Sequence, residues 1–294
     1  MTSRRNDDRV GTAAPAADPP LSEMMENNID EDIERSPAAS LSFTTPTEFV
    51  VLPSRGRFYS TDHPLYNADS VEIRYMTAKD EDILTSKTLL KKGIAIDRFL
   101  QNVIIDKKVK VQDLLSGDKN ALTIAARITG YGAEYDTKAV CPMCGSHSEY
   151  SFDLGEGKVN FGDNFGGYDI RETPEQTFIV LTPTTGTEVE IRLLTGRDEK
   201  NLLALQEKKK RHKLAETGLT DQFRMFIVSV NGNSEQHVVS SYIDNMPAMD
   251  SKYLRDSYKK ITPNVDLTQE YECDFCGYAG EMEVPFTTDF FWPK

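Results

Sequence analysis

All four cysteines of this chain fall in two C-x2-C turns, Cys141-Pro142-Met143-Cys144-Gly145 and Cys273-Asp274-Phe275-Cys276-Gly277. A C-x2-C turn followed by glycine lets two thiolates and the backbone N–H groups of the turn converge on one soft cation. Two such knuckles supply the four ligands of a tetrahedral Zn2+ site, so Cys141, Cys144, Cys273 and Cys276 are the candidate metal ligands. The step from Cys144 to Cys273 is 129 positions, far longer than the insert of a small zinc finger. A metal here ties two distant folded segments together. With every position taken by sulfur no site is left for substrate, so the zinc is expected to be structural. The alternatives are a disulfide pair, a redox C-x-x-C, or unliganded core thiols; redox motifs come singly beside a β-α-β unit, and nothing here resembles one.

The residues beside each knuckle alternate in strand fashion. Residues 135–140 and 149–154 flank the first, and Tyr271-Glu272 and residues 281–286 flank the second, as expected for half-buried hairpin arms.

An internal repeat is the second constraint. Val71-Glu72-Ile73-Arg74 is followed by Thr77, Lys79, Asp80 and Glu81; Val189-Glu190-Ile191-Arg192 is followed by Thr195, Arg197, Asp198 and Glu199, an offset of 118. Upstream, residues 178–183 parallel residues 49–53, each run ending in proline. Asp118 and Asp250 read as N-caps of helices carrying Leu122, Ala125, Ala126 and Ile128 in one case and Leu254, Tyr258 and Ile261 in the other. Their spacing of 132 equals that from Cys141 to Cys273. The pattern predicts an α+β fold of two tandem halves, each a β-hairpin, a group of helices and a knuckle, facing one another across a shared four-cysteine zinc-ribbon-like site. A site completed by a second subunit is the alternative. The expected segments are a low-complexity N-terminal arm over residues 1–45, a first repeat over 46–155, a connector over 156–173 and a second repeat over 174–294.

Within the first repeat, residues 49–53 and 71–75 read as strands joined by a tight loop. A helix opens near Thr77 and closes at Lys91-Lys92-Gly93, and a second carries Phe99, Leu100, Val103 and Ile104. In the second repeat, Phe223, Phe226, Ile227 and Val230 read as one helical face. The glycine-rich connector lacks a phosphate-binding motif and reads as linker around a short strand.

The arm holds Ala-Ala-Pro, Asp-Pro-Pro and many acidic groups, the composition of an extended or disordered segment. Leu21, Met24, Met25 and Ile29 within it fall at helical spacing. This stripe is either a partner-binding anchor or a weakly helical patch of the tail.

Net charge of −13 and a pI near 4.9 count against a nucleic-acid coat. The one basic run, Lys208-Lys209-Lys210-Arg211-His212-Lys213, ends a predicted helix and complements its negative terminus. No apolar run approaches the ~20 residues of a membrane span, and the N-terminus lacks the apolar core of a signal peptide. A protein made in a reducing cytoplasm is expected, which suits thiolate–zinc chemistry. His63, His147, His212 and His237 have no catalytic partner at motif spacing, His237 lying in a strand-like segment; His147, three residues past Cys144, is expected to be outside the ligand set. No enzymatic function and no small-molecule substrate are indicated.

Several words of the first half, Leu52-Pro53-Ser54-Arg55-Gly56-Arg57-Phe58-Tyr59, Arg74-Tyr75-Met76-Thr77-Ala78-Lys79-Asp80-Glu81-Asp82-Ile83-Leu84-Thr85, residues 114–122 and residues 126–132, resemble the baseplate hub and hub-assembly proteins of T-even-type contractile-tailed phages. The resemblance is strongest over residues 48–155 and looser beyond. It implies a protein–protein role in the tail baseplate, with other baseplate and tail proteins as partners, located in the virion and, during assembly, in the host cytoplasm. An assembly chaperone absent from the finished particle, and a zinc-ribbon nucleic-acid-binding regulator, are the alternatives. Arg55, Arg57, Phe58 and Tyr59 offer charged and aromatic anchors for a docking partner; otherwise that loop folds over its own core.

Overall fold

A computed structural model describes residues 45–215, 217–285 and 290–291. The stripe of Leu21, Met24, Met25 and Ile29 lies outside the described residues.

The chain begins with a hairpin, β1 (Thr47–Val51) and β2 (Ser70–Arg74), paired antiparallel with Val50 opposite Val71 and Phe49 opposite Glu72. Helices follow as α1 (Ala78–Thr85), α2 (Lys87–Lys91), α3 (Ala95–Val103) and α4 (Ser116–Tyr131). A second hairpin, β3 (Glu134–Val140) and β4 (His147–Asp153), carries the first knuckle at its tip. The connector contributes β5 (Lys158–Asn160) and β6 (Ile170–Glu172). Next come β7 (Phe178–Leu181), β8 (Glu188–Ile191), α5 (Gly196–Arg211), α6 (Gly218–Phe226), β9 (Ile227–Val230), α7 (Gln236–Asn245) and α8 (Ala248–Ile261). The chain then forms β10 (Asn264–Asp266) and a last hairpin, β11 (Thr268–Glu272) with β12 (Ala279–Glu283), which carries the second knuckle. This is a mixed α+β fold.

The helix boundaries follow local chemistry. Before α1, the Asp80 carboxylate accepts from the Thr77 N–H (2.9 Å) and hydroxyl (2.8 Å) and takes two bonds from Arg74 (2.6 and 2.9 Å). Before α5, Asp198 does the same with Thr195 N–H (3.0 Å), Thr195 hydroxyl (2.9 Å) and Arg192 (2.9 Å twice). These reciprocal caps satisfy helix-start donors that have no partner within the helix. Registers recur too: Ile73 bridges Ile104 just past α3, and Ile191 pairs Ile227 just past α6.

The structure corrects four readings of the sequence. The helix expected over Thr77 to Gly93 is broken at Ser86, whose extended backbone ends α1 and starts α2. Asp118 and Asp250 are not N-caps: each is the third residue of its helix and fully buried, its carboxylate reaching a distant loop. The helical face from Phe223 to Val230 stops at Phe226, because Ile227 turns extended and joins β8 as β9. His237 lies in α7 rather than a strand.

One continuous apolar core runs from Val50 and Leu52 through Phe99, Leu122, Phe178 and Leu254 to Phe290 and Phe291. Segments distant in sequence are sewn together across it. Ser116 N–H donates to Leu194 O (3.1 Å), Gly196 N–H donates to Leu114 O (2.9 Å), and β5 pairs antiparallel with β10. The buried Arg127 guanidinium donates to the carbonyls of Phe290 (2.6 Å), Gly132 (2.7 Å) and Glu134 (3.1 Å). Such bonds satisfy a charge that burial would otherwise make costly.

Candidate metal centre

The two knuckle hairpins lie side by side. Tyr150 and Tyr271 pack with ring centroids 5.1 Å apart, Ser148 Oγ is 3.3 Å from the Tyr271 hydroxyl, and the Gln269 amide donates to Asp153 O (2.6 Å) and accepts from its N–H (3.1 Å). Alternation along β3 buries Tyr135, Thr137 and Ala139, so the strand seats Cys141 at the inner edge of its turn.

Each turn closes in the same way. Cys141 N–H donates to Ser146 O (2.9 Å) and Gly145 N–H to Cys141 O (2.9 Å); Cys273 N–H donates to Tyr278 O (2.8 Å) and Gly277 N–H to Cys273 O (2.9 Å). Gly145 and Gly277 sit at φ of 70° and 66°, a left-handed conformation that glycine adopts without steric cost. The turns aim four free thiols at one point. Sulfur Sγ atoms of Cys141 and Cys276 stand 3.7 Å apart and those of Cys144 and Cys273 3.8 Å, all four lying within 4.8 Å of one another. A tetrahedral ion with bonds of ~2.3 Å to sulfur needs S···S separations of roughly 3.8 Å. The thiols are therefore placed to hold a metal ion. Cys141 and Cys273 are buried, while Cys144 and Cys276 face solvent. The knuckle tips present Met143 and Phe275, 71% and 69% exposed.

Ser146 completes the thiol environment and was not picked out from the sequence. Its hydroxyl is 2.9 Å from Cys144 Sγ and 3.5 Å from Cys273 Sγ. That hydroxyl is the main cause that draws the Cys273 thiol down to about 5 and lowers the Cys144 thiol. Thiolate is the form that binds metal. The signal available in the sequence was a hydroxyl two residues past the second cysteine of a knuckle. His147 is exposed, at the start of β4, and outside the four-thiol set.

The other residues singled out lie elsewhere. Tyr59 is 4% exposed, donates to Asp118 Oδ2 (2.7 Å), accepts from Leu115 N–H (3.0 Å) and stacks on His63. Phe58 packs on Phe178, Arg57 pairs with Glu172 (2.9 Å), and Arg55, itself exposed, covers the Phe161 ring at 3.7 Å. The loop is thus engaged with its own chain, and the Tyr59 ring is buried. In the basic run, Lys209 turns inward to Asp221 (2.8 and 2.6 Å), leaving Lys208, Lys210 and Arg211 exposed. No helix among the described residues is long and apolar enough to cross a membrane.

Searches of curated proteins and of solved structures each return no match to the chain. One family model does match, that described as T4 bacteriophage base plate protein, over residues 46–170, from β1 through β6. This stretch holds the first hairpin, the first knuckle and the buried aspartate loop, and over it the chain is similar to a T4-type phage baseplate protein family.

Proposed function

We propose that the chain is a structural protein of the contractile-tail baseplate, in its hub region, acting through contacts with other baseplate and tail proteins. The family match over residues 46–170 carries this reading. The zinc is structural on this reading, held by Cys141, Cys144, Cys273 and Cys276. Loop closure over more than a hundred residues costs about 5 kcal/mol, and structural zinc contributes about 10–16 kcal/mol in model fingers. The metal would therefore dominate the joint between the hairpins. Its exposed knuckle tips and the acidic surface would then be free for neighbours.

We also read the chain as a tandem duplication. The Arg-Thr-Asp cap before α1 and α5, the buried aspartates of α4 and α8, and the two knuckles support it, each pair with matching hydrogen bonds.

Mass spectrometry of purified virions, alongside baseplates from lysates, tests the role. A structural subunit is present in both. Presence in baseplate intermediates with absence from virions would instead mark an assembly factor, and absence from both would refute a baseplate role. Metal analysis of the purified chain tests the site: about one zinc per chain is expected.

A further inference from the structure

Helix α5 is 16 residues long, yet Gly196 is its only fully buried residue. Its inner face, Asp198, Leu202, Leu205 and Lys209, is half-buried, with Lys209 held by Asp221. The opposite face carries Lys200, Leu203, Ala204, Glu207, Lys208 and Arg211, whose spacing puts them on one helical stripe. All six are exposed, Leu203 at 59%. Helices in proteins draw most of their stability from a packed face, and this stripe packs on nothing among the described residues. Its one ion pair there is Arg211 with Glu207 (3.6 Å), so Lys200 and Lys208 have no acidic partner. The partial negative charge of a helix C-terminus is met by a single cation; Lys208, Lys210 and Arg211, exposed in the same last turn, exceed that need.

The second knuckle hairpin carries the opposite charge at a matching length. Glu270 lies directly opposite Glu281, Glu272 opposite Ala279 and Glu283 opposite Thr268, so the four glutamates share the face turned away from the buried Tyr271 ring. All four are exposed and none makes an ion pair among the described residues. Like charges directly opposite one another across a strand pair are destabilising, a cost that cations brought from outside would remove. From Glu283 to Glu272 the face spans two alternate steps along the strands, about 13 Å. Along the axis of α5, Lys200 stands about 12 Å from Lys208 and about 16 Å from Arg211. Within the chain no ion pair joins the two faces.

We propose that the outer stripe of α5 takes the glutamate face of β11–β12 of a second copy of this chain. Charge and length select that occupant: a polyphosphate or an acidic segment of some other protein would match the lysines but leave the opposed glutamates without a counterpart. Each copy offers both faces, so the contact closes either as a reciprocal pair or as a ring. The net charge of −13 does not prevent it. At physiological salt, charges beyond about 8 Å are screened, whereas faces in contact are not. The contact needs no other protein and stands apart from the baseplate reading.

Sedimentation of the purified, zinc-loaded full chain tests it. Wild type should self-associate in about 50 mM salt, with a dissociation constant at least about tenfold weaker in about 500 mM. A carbodiimide, which joins a touching carboxylate and lysine as an amide and takes up the water released, should link Lys200 or Lys208 of an isotope-labelled copy to Glu270, Glu281 or Glu283 of an unlabelled one. Lys200→Glu/Lys208→Glu/Arg211→Glu should sediment as a monomer, and so should Glu270→Lys/Glu281→Lys/Glu283→Lys. The two variants mixed should associate again, because reversed face meets reversed face and the unreversed faces also meet. A wild-type chain that stays monomeric up to about 100 μM overturns the proposal, as does association indifferent to salt. Cross-links from the stripe only to residues 1–44, or only within one copy, overturn it too. So does a mixture that remains monomeric while both variants keep the wild-type zinc content and melting temperature; where a variant loses either, the wild-type cross-links between copies decide. Association abolished by reversing the stripe but untouched by reversing the glutamates would assign the stripe to another polyanion and overturn the second copy as its occupant.

Discussion

Asp118, the third residue of α4, accepts both the N–H (2.9 Å) and the hydroxyl (2.5 Å) of Ser54, 64 positions earlier in the chain, together with the Tyr59 hydroxyl. Asp250 holds the same place in α8 and accepts from Thr184 N–H (2.8 Å), Thr185 N–H (3.1 Å) and Thr185 hydroxyl (2.8 Å). Each carboxylate fastens the loop after a strand to the start of a helix. Asp118→Ala leaves three donors without an acceptor in a buried site, each costing about 1–3 kcal/mol. Urea denaturation should show a loss of about 4 kcal/mol, and Asp250→Ala should lose a comparable amount. A loss under about 1 kcal/mol at either position would show that water replaces the carboxylate at little cost.

Acid should weaken the fold through Asp80. Burial alone would raise its pKa, but bonds from Arg74 first, then Thr77 and Asn102, hold it down to about 2. The folded value lies below the unfolded value of about 3.9, so its stabilisation is fully present above about pH 4 and is lost as pH falls through about 2. At about 1.4 kcal/mol per unit this amounts to about 2.5 kcal/mol. Arg74→Met strands a buried carboxylate and should cost about 3–5 kcal/mol near neutral pH. That deficit should shrink as pH falls toward 3, where protonation of the stranded group relieves the variant; equal deficits at both pH values would disprove the pairing.

How much of this was legible follows from which signals are local. The cysteine pairs are short-range patterns whose turns are set within a few residues, and the four thiols converge as read; the Thr-x-x-Asp caps that follow each Val-Glu-Ile-Arg are equally local but emerge only from the structure. Asp118 and Asp250 carry cap chemistry, but their partners are more than 60 positions away, so reading them as N-caps starts each helix three residues too late. Ile227 to Val230 continues an apolar run that suits either a helix face or a strand; pairing with β8 decides it. β5, β6 and β10 are three residues each, too short for any period to register, and exist because a neighbouring strand supplies their bonds. Ser146 matters only because a second knuckle, remote in sequence, brings Cys273 to its hydroxyl.

Removing metal should loosen the knuckle hairpins as a pair. A strong chelator, or Cys141→Ser, takes away the bonds that join β3–β4 to β11–β12, leaving the Tyr150–Tyr271 contact and a few hydrogen bonds. A loss of at least about 4 kcal/mol should lower the melting temperature by roughly 10 °C. Ser146→Ala keeps all four ligands but withdraws the hydroxyl that favours the Cys144 and Cys273 thiolates, so competition with a chromophoric chelator should read a 10–100-fold weaker affinity, roughly. An unchanged melting temperature after complete metal removal would end the staple reading.

Two glycines of α4 should answer differently to the same substitution. Within a helix, alanine is favoured over glycine by about 1 kcal/mol, so Gly→Ala gains unless the new methyl has nowhere to go. At Gly130 a Cβ would come 2.4 Å from the Met76 methyl, the end of a flexible side chain that can swing aside. Gly130→Ala should therefore fall within about 1 kcal/mol of neutral. At Gly117 the Cβ would lie 1.7 Å from the Pro263 carbonyl oxygen and 3.0 Å from Asn264 Cα, backbone atoms fixed by the β5–β10 pairing. Relief requires α4 to move off the segment between α8 and β10, so the propensity gain is overwhelmed and Gly117→Ala should cost about 3 kcal/mol. Urea midpoints of the two variants would separate the cases. A neutral Gly117→Ala would mean that α4 does not press on this segment as closely as the carbonyl contact requires, and the joint between β5 and β10 would have to tolerate a shift of more than an ångström.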